Sequence, residues 1–266
     1  MWHGRMAIAL AVLAAATALP GPMLAQQAKH AEPSPAAIID RHLAAIGGRD
    51  ALGAVKTMVV RGRNASLGGA DRPLIRYLKR PNLLRQQDAP GATAYVVSDG
   101  SKVYQVGGSG RAEVTQPWAA PLRHTTIDDG LLDDEELGIR YEYLGADGIR
   151  TGPWKFHHLR RVFKDGYAED LFFEADSGLL RMRIEDNGRA KRVYYDYREV
   201  GAIRYPFVTA TVFDGLEPPH LFIVDEVTLN ATLDDRLFLT GVDSRDPATL
   251  AGAAVVAVLV ADAGPS

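Results

Sequence analysis

LLRMRIEDNGRAKRVYYDY, residues Leu179 to Tyr197, holds two runs of strand-forming residues on either side of Asn187-Gly188. Asn-Gly accepts the positive backbone angles of a tight two-residue turn, so Leu179–Glu185 and Arg192–Tyr197 are predicted to pair as an antiparallel hairpin. The same rhythm extends in both directions. Strand signals recur at Arg140–Leu144, Lys155–Phe163, Glu169–Glu174, Phe207–Phe213 and Leu221–Leu229. Asp147-Gly148, Asp165-Gly166, Asp176-Ser177-Gly178 and Asp214-Gly215 separate them, and each is turn chemistry. Further upstream, Met58–Arg63, Leu74–Lys79 and Leu83–Gln87 read as strands. Ala94–Val97 and Lys102–Val106 flank the turn Ser98-Asp99-Gly100-Ser101. Short strands joined by short turns predict a single antiparallel sheet in a mainly β (α+β) chain.

One helix precedes the sheet. Ser34 can cap it, Pro35 fits its first turn, and Ile38, Ile39, His42, Leu43 and Ile46 recur at helical spacing. Gly47-Gly48 ends it, and Asp50 is predicted to cap a second short turn through Leu52 and Val55. Residues 107–138 carry no strand rhythm. They hold the acidic run Asp128-Asp129-Gly130-Leu131-Leu132-Asp133-Asp134-Glu135-Glu136, with short helices expected within Leu122–Leu137. Several strands have an apolar face, and a curved sheet needs something to cover it. The helix over 35–46 and the irregular middle segment are the available cover, and a hydrophobic cavity is expected between cover and sheet.

The 266 residues are 47% apolar and 24% charged, with a net charge of −3. These are globular proportions for one large domain, and the balance does not suit an electrostatic nucleic-acid binder. The chain has no cysteine, which excludes disulfides, thiolate metal sites and cysteine nucleophiles. Residues 1–25 have the layout of a secretory signal peptide: Arg5, then an apolar run from Met6 to Leu19, then Pro20-Gly21-Pro22 and an end at Ala25. A polar leader over 26–34 follows, then a domain over 35–243. The tail over 244–266 includes an apolar run, Leu250–Ala261, too short to span a bilayer. Export without cysteine favours a bacterial periplasm.

No constellation for catalysis is present. There is no GxSxG, SxxK, HExxH or GxGxxG in a usable context. His157 and His158 are neighbours on a strand and point to opposite faces, while His124 and His220 fall in predicted loops. The acidic run lacks the alternation of a calcium loop and reads as a solvated segment. Glu169-Asp170 is likewise split between faces. The expectation is a non-enzymatic protein without metal or cofactor.

Two motifs carry a resemblance. The first is Leu78-Lys79-Arg80-Pro81-Asn82-Leu83-Leu84. The second, 13 residues on, is Val97-Ser98-Asp99-Gly100-Ser101-Lys102-Val103-Tyr104. Both resemble segments of the LolA-like periplasmic carriers of outer-membrane lipoproteins. The carboxyl half resembles the wider lipoprotein-sorting group through Asp176-Ser177-Gly178-Leu179-Leu180, Tyr195-Asp196-Tyr197-Arg198, Tyr205-Pro206-Phe207, Val227-Thr228-Leu229-Asn230 and Leu233–Phe238. The resemblance covers about residues 36–240.

It implies an open, curved antiparallel half-barrel under a lid of a few helices. It also implies acylated lipoprotein or lipid cargo, carried by a monomer between an inner-membrane donor and an outer-membrane acceptor, with no nucleic acid. It assigns lid contacts to Arg80 and cavity positions to Tyr77 and Leu84. The tail beyond about 243 and the acidic segment depart from the pattern. Two other readings remain: an envelope protein–protein interaction module whose cavity is filled by its own side chains, and an enzyme that would need distant carboxylates such as Asp99 and Glu169 to converge.

Overall fold

A computed structural model describes residues 32–65, 70–146, 154–185 and 188–239. The signal-peptide region, the leader up to residue 31, the turn residues Asp147-Gly148 and Asn187, and the tail beyond 239 lie outside the described residues.

Two helices open the fold, α1 (Pro35–Ala45) and α2 (Arg49–Ala54). Ser34 caps α1 through a bond from the Ala37 N–H at 3.2 Å, with Pro35 in the first turn as predicted. The chain leaves α1 through Gly47, whose φ is +131°; a Cβ there would stand 2.6 Å from the Ala202 carbonyl. The predicted cap at Asp50 is displaced: Gly48 takes the capping position of α2, and Asp50 lies within its first turn.

The sheet follows as β1 (Thr57–Ala65), β2 (Arg72–Lys79), β3 (Leu83–Gln87), β4 (Tyr95–Ser98), β5 (Val103–Gly107) and β6 (Gly110–Glu113). After α3 (Ala120–Arg123) come β7 (Arg140–Ala146), β8 (Phe156–Val162), β9 (Ala168–Glu174) and β10 (Leu180–Glu185). The last strands are β11 (Ala190–Val200), β12 (Ile203–Phe213) and β13 (Leu216–Leu229). These strands form one open curved antiparallel sheet in the order β6-β5-β4-β3-β2-β1-β13-β12-β11-β10-β9-β8-β7. Only one step, β1 to β13, joins strands distant in sequence. Every other neighbour is a hairpin partner, which is why turn chemistry made the topology readable.

Two expectations fail locally. Residues 110–113 form an edge strand where irregular chain was expected, because all four are exposed and show no apolar alternation. His220 lies within β13 rather than in a loop, with its ring against Phe213.

Alternation divides the sheet into two faces. One carries Met58, Val60, Leu78, Leu84, Leu159, Leu171 and Phe173. It packs against Ile38, Ile39 and Leu43 of α1, Leu52 of α2, and Ile127 and Leu131 of the middle segment. The predicted cover is therefore the observed one. The opposite face has a smaller cluster of Phe156, Phe172 and Met182. The segment after β13 also bears on it, its Leu237 carbonyl facing buried Arg85 at 3.4 Å.

Candidate functional site

The covered face is apolar at its centre and ionic towards β8–β11. The reason lies in the strand period. Arg161 follows Leu159 by two residues, Glu169 precedes Leu171 by two, and Arg183 is cross-strand partner to Leu171. All three therefore face inward. Arg161 Nη2 stands 2.6 Å from Glu169 Oε1, and both side chains are wholly buried. Arg183 Nε lies 3.2 Å from Glu169 Oε2 and 2.5 Å from Glu185 Oε1. Glu185 also accepts from Arg192 at 3.2 Å. Burial works to strip the protons from Arg161 and Arg183, but the carboxylates around them more than compensate and raise both pKa values. Burial pushes Glu185 up, and Arg183 and Arg192 reverse the effect and hold it ionised.

The acidic run supplies the counter-charges from the cover. It is not simply solvated: Asp128 is buried, and it accepts from Arg80 Nη2 at 3.1 Å. Asp133 pairs with Arg80 Nη1. Asp129 adopts φ +57°, which lets its carbonyl accept from Arg161 Nη1 while its carboxylate accepts from Arg183 Nη1 at 2.8 Å. Burial raises the Asp128 pKa, with Arg80 opposing. The backbone hydrogen bonds of residues 117–139 close locally, such as Leu131 N–H to Asp128 and Ile139 N–H to Asp134. The cover is thus held to the sheet by side chains.

Arg80 joins three elements. Besides the two aspartates it donates to the carbonyls of Val55 at 2.9 Å and Leu52 at 3.1 Å, at the end of α2. Leu84 is fully buried opposite Leu78 on the covered face. Tyr77 alternates to the other face, in register with Val59 and Arg85, and none of Tyr77, Arg80 and Leu84 lines the small cavity between α1, the cover and β10–β12. Arg80 and Leu84 thus lie on the covered side and Tyr77 does not. Asn82 and Gly100, from the two quoted motifs, meet: Asn82 Nδ2 donates to the Gly100 carbonyl at 3.3 Å. Asp99 caps its own turn through the Ser101 and Lys102 N–H groups, while Glu169 is engaged by arginines.

The Asp176-Ser177-Gly178 turn docks α1. Arg41 donates to the Asp176 carbonyl at 2.8 Å, and His42 Nδ1 lies 3.0 Å from the Gly178 carbonyl oxygen and 3.2 Å from the Leu180 nitrogen. Burial lowers the His42 pKa and keeps it neutral.

Between α1, the cover and β10–β12 is a cavity of about 70 Å³. Its lining includes Arg76, Arg183, Arg192, Arg204, Asp128 and Asp129. Drug-sized ligand sites are typically ~300–1,000 Å³. This cavity is small and largely ionic, because the inward positions beside it carry arginine and tyrosine. Sequence reasoning missed these arginines. Their signal was charge in phase with leucine on a strand, as in Leu159-Arg160-Arg161 and Glu169-Asp170-Leu171. Among the described residues no cluster of acidic and histidine side chains is arranged to hold a metal.

Sheet, curvature and cover define an open antiparallel half-barrel of the predicted kind. Among solved structures, a DUF1329 family protein from Desulfovibrio piger resembles it with a TM-score of 0.53 at 12% identity, over 76% of this chain and 96% of that one. A LolA superfamily protein from Nitrosomonas europaea aligns at 0.48 and 12% identity, over 70% and 90% of the two chains. An outer membrane lipoprotein-sorting protein domain from Vibrio parahaemolyticus aligns at 0.39 and 9%, over 75% and 97%. No protein-family model and no curated protein matches the chain. The likeness is one of fold. No helix among the described residues is long and apolar enough to cross a membrane.

Proposed function

We propose that the protein is a periplasmic carrier or binding protein for acylated or otherwise amphipathic cargo, exported by a cleavable signal peptide over residues 1–25. It works as a monomer and takes cargo from an inner-membrane donor to an outer-membrane acceptor. The observation that supports this reading is the attachment of the cover. Residues 117–139 close one face of the sheet without backbone-to-backbone hydrogen bonds to it, so the segment can lift without breaking a strand ladder. Lifting would expose Leu78, Leu84 and Leu171 as an apolar floor. An acyl chain laid there would gain about 0.8 kcal/mol per buried CH₂. Arg80 is the latch. Tyr77, on the other face, has no part in the floor. Transfer makes and breaks no covalent bond.

The experiment is native mass spectrometry of the protein purified gently from the periplasm, followed by extraction of anything bound. A stoichiometric lipid or acylated peptide is expected. A clean apo mass, with no uptake of added lipid, would overturn the carrier reading. One observation favours a second reading, a protein–protein interaction module of the same fold: the small volume of the cavity, about 70 Å³. The apo outcome would support it.

A further inference from the structure

The cavity lining carries more cationic groups than its aspartates neutralise. Asp129 is bound to Arg183, and Asp128 to Arg80, which lies outside the lining. Arg76 has no carboxylate within ion-pair distance among the described residues. Its Nε donates to the Gln86 amide oxygen at 3.0 Å, and its guanidinium lies 4.4 Å from the Phe222 ring centre. Arg204 borders the cavity at the end of α1, where its backbone N–H binds the Ile46 carbonyl at 2.8 Å, while its side chain alternates away from inward Ile203 and Tyr205. Arg192 reaches Glu185 with one nitrogen, but its Nε is buried without an acceptor. A buried unmet N–H is costly, and more so on a charged group. Burial lowers the pKa of Arg76, and Arg192 and Arg183 add to the effect, so the three cations repel one another. Tyr194, Tyr205 and Thr209 bring hydroxyl groups to the same space. The volume suits a few waters or one tetrahedral anion, not an acyl chain.

We propose that this cavity is a phosphate site, in which Arg76 and Arg192 hold the phosphate head group of an amphipathic cargo. The proposal rests on the carrier reading and names the head-group class of its cargo. Planar guanidinium groups match phosphate oxygens in pairs, and the orphan Arg192 Nε–H gains its acceptor. The acyl part would lie on the apolar floor beside the cavity once the cover lifts.

The test is calorimetric titration of the full chain with dodecyl phosphate, dodecyl maltoside and inorganic phosphate. Dodecyl phosphate is expected to bind at least about tenfold tighter than either of the others. Arg76→Gln and Arg192→Gln should each weaken it about tenfold, and Arg76→Lys should restore part of the loss. Arg76→Gln leaves no carboxylate unpaired, so an unchanged melting temperature will show that it folds. Equal binding of dodecyl phosphate and dodecyl maltoside would overturn the phosphate site while leaving the carrier reading standing. Dodecyl phosphate binding that neither Gln variant affects would also overturn it. Inorganic phosphate binding as tightly as dodecyl phosphate would overturn the head-group assignment in favour of free anion. No binding of any of the three would count against both readings.

Discussion

Arg80 Nη2 stands 3.1 Å from Asp128 Oδ2, so the residue that follows β2 and the buried head of the acidic run form one charge pair between sheet and cover. The Asp128 side chain is wholly buried and that of Arg80 is 12% exposed. Removing one partner of such a pair leaves a charge without its counter-ion, at a typical cost of about 3–5 kcal/mol. Arg80→Leu is expected to loosen residues 124–137 while leaving β8–β13 intact. Hydrogen exchange should read faster opening in the cover alone. Unchanged protection there would remove the latch role.

Glu169 sits between Arg161 and Arg183. Glu169→Gln should destabilise the fold by about 3–5 kcal/mol in urea unfolding. The double variant Arg161→Met/Glu169→Leu should cost less than the single one, since it leaves fewer unpaired charges behind. Additive losses would show that the pair does not act as a unit.

Leu84 is fully buried opposite Leu78. Leu84→Ala should cost about 2–5 kcal/mol, and Leu84→Glu should prevent stable folding. A folded Leu84→Glu protein with a native melting curve would contradict this packing. Cargo experiments are therefore better made at the arginines.

His124 stacks on Phe163 and Tyr167, and its Nε2 lies 3.1 Å from Asp165. Burial lowers its pKa to about 4 despite the nearby carboxylate, and burial lowers that of His42 as well. Both rings bind protons more readily once unfolded. Their contribution to stability is thus complete above about pH 6.5 and drains as pH falls, on the order of 3 kcal/mol for His124 by about pH 4. Asp165, whose pKa is lowered, acts in the same sense; Asp128, whose pKa burial raises, opposes it. The melting temperature should fall between about pH 7 and pH 5, and less steeply in His124→Phe. A flat profile in the native protein would refute neutral buried histidines.

Gly62 lies at the irregularity in the β1–β13 pairing, where an added Cβ would meet the Ile223 carbonyl and the Phe222 ring. Gly62→Ala should therefore destabilise the joint between the two halves of the sheet, with a lower urea midpoint as the readout. An unchanged midpoint would show that the strands can part there at no cost.

Turn chemistry and strand period made most of the sheet legible, because each hairpin is specified within some fifteen residues of chain. The helix over Pro35–Ala45 was legible for the same reason: its cap and its apolar stripe are local. The motif pair around Asn82 and Gly100 proved to be one contact between the β2–β3 and β4–β5 turns. Strand β6 was hidden because an exposed edge needs no apolar face.

The site was less legible. Arg80 stood out by its motif, and alternation alone sets Tyr77 and Leu84 on opposite faces. Which face the helices cover depends on curvature and on the packing of Ile38 and Leu43. Local sequence thus determined the hairpins, the helix and the antiparallel class, since their energetics are set by neighbours along the chain. The tertiary structure alone decided that Asp128 and Asp129 meet Arg80, Arg161 and Arg183. It alone gathered Arg76, Arg183 and Arg192 round one small cavity. Those partners are tens of residues apart, and their charges are strong only where packing has excluded water.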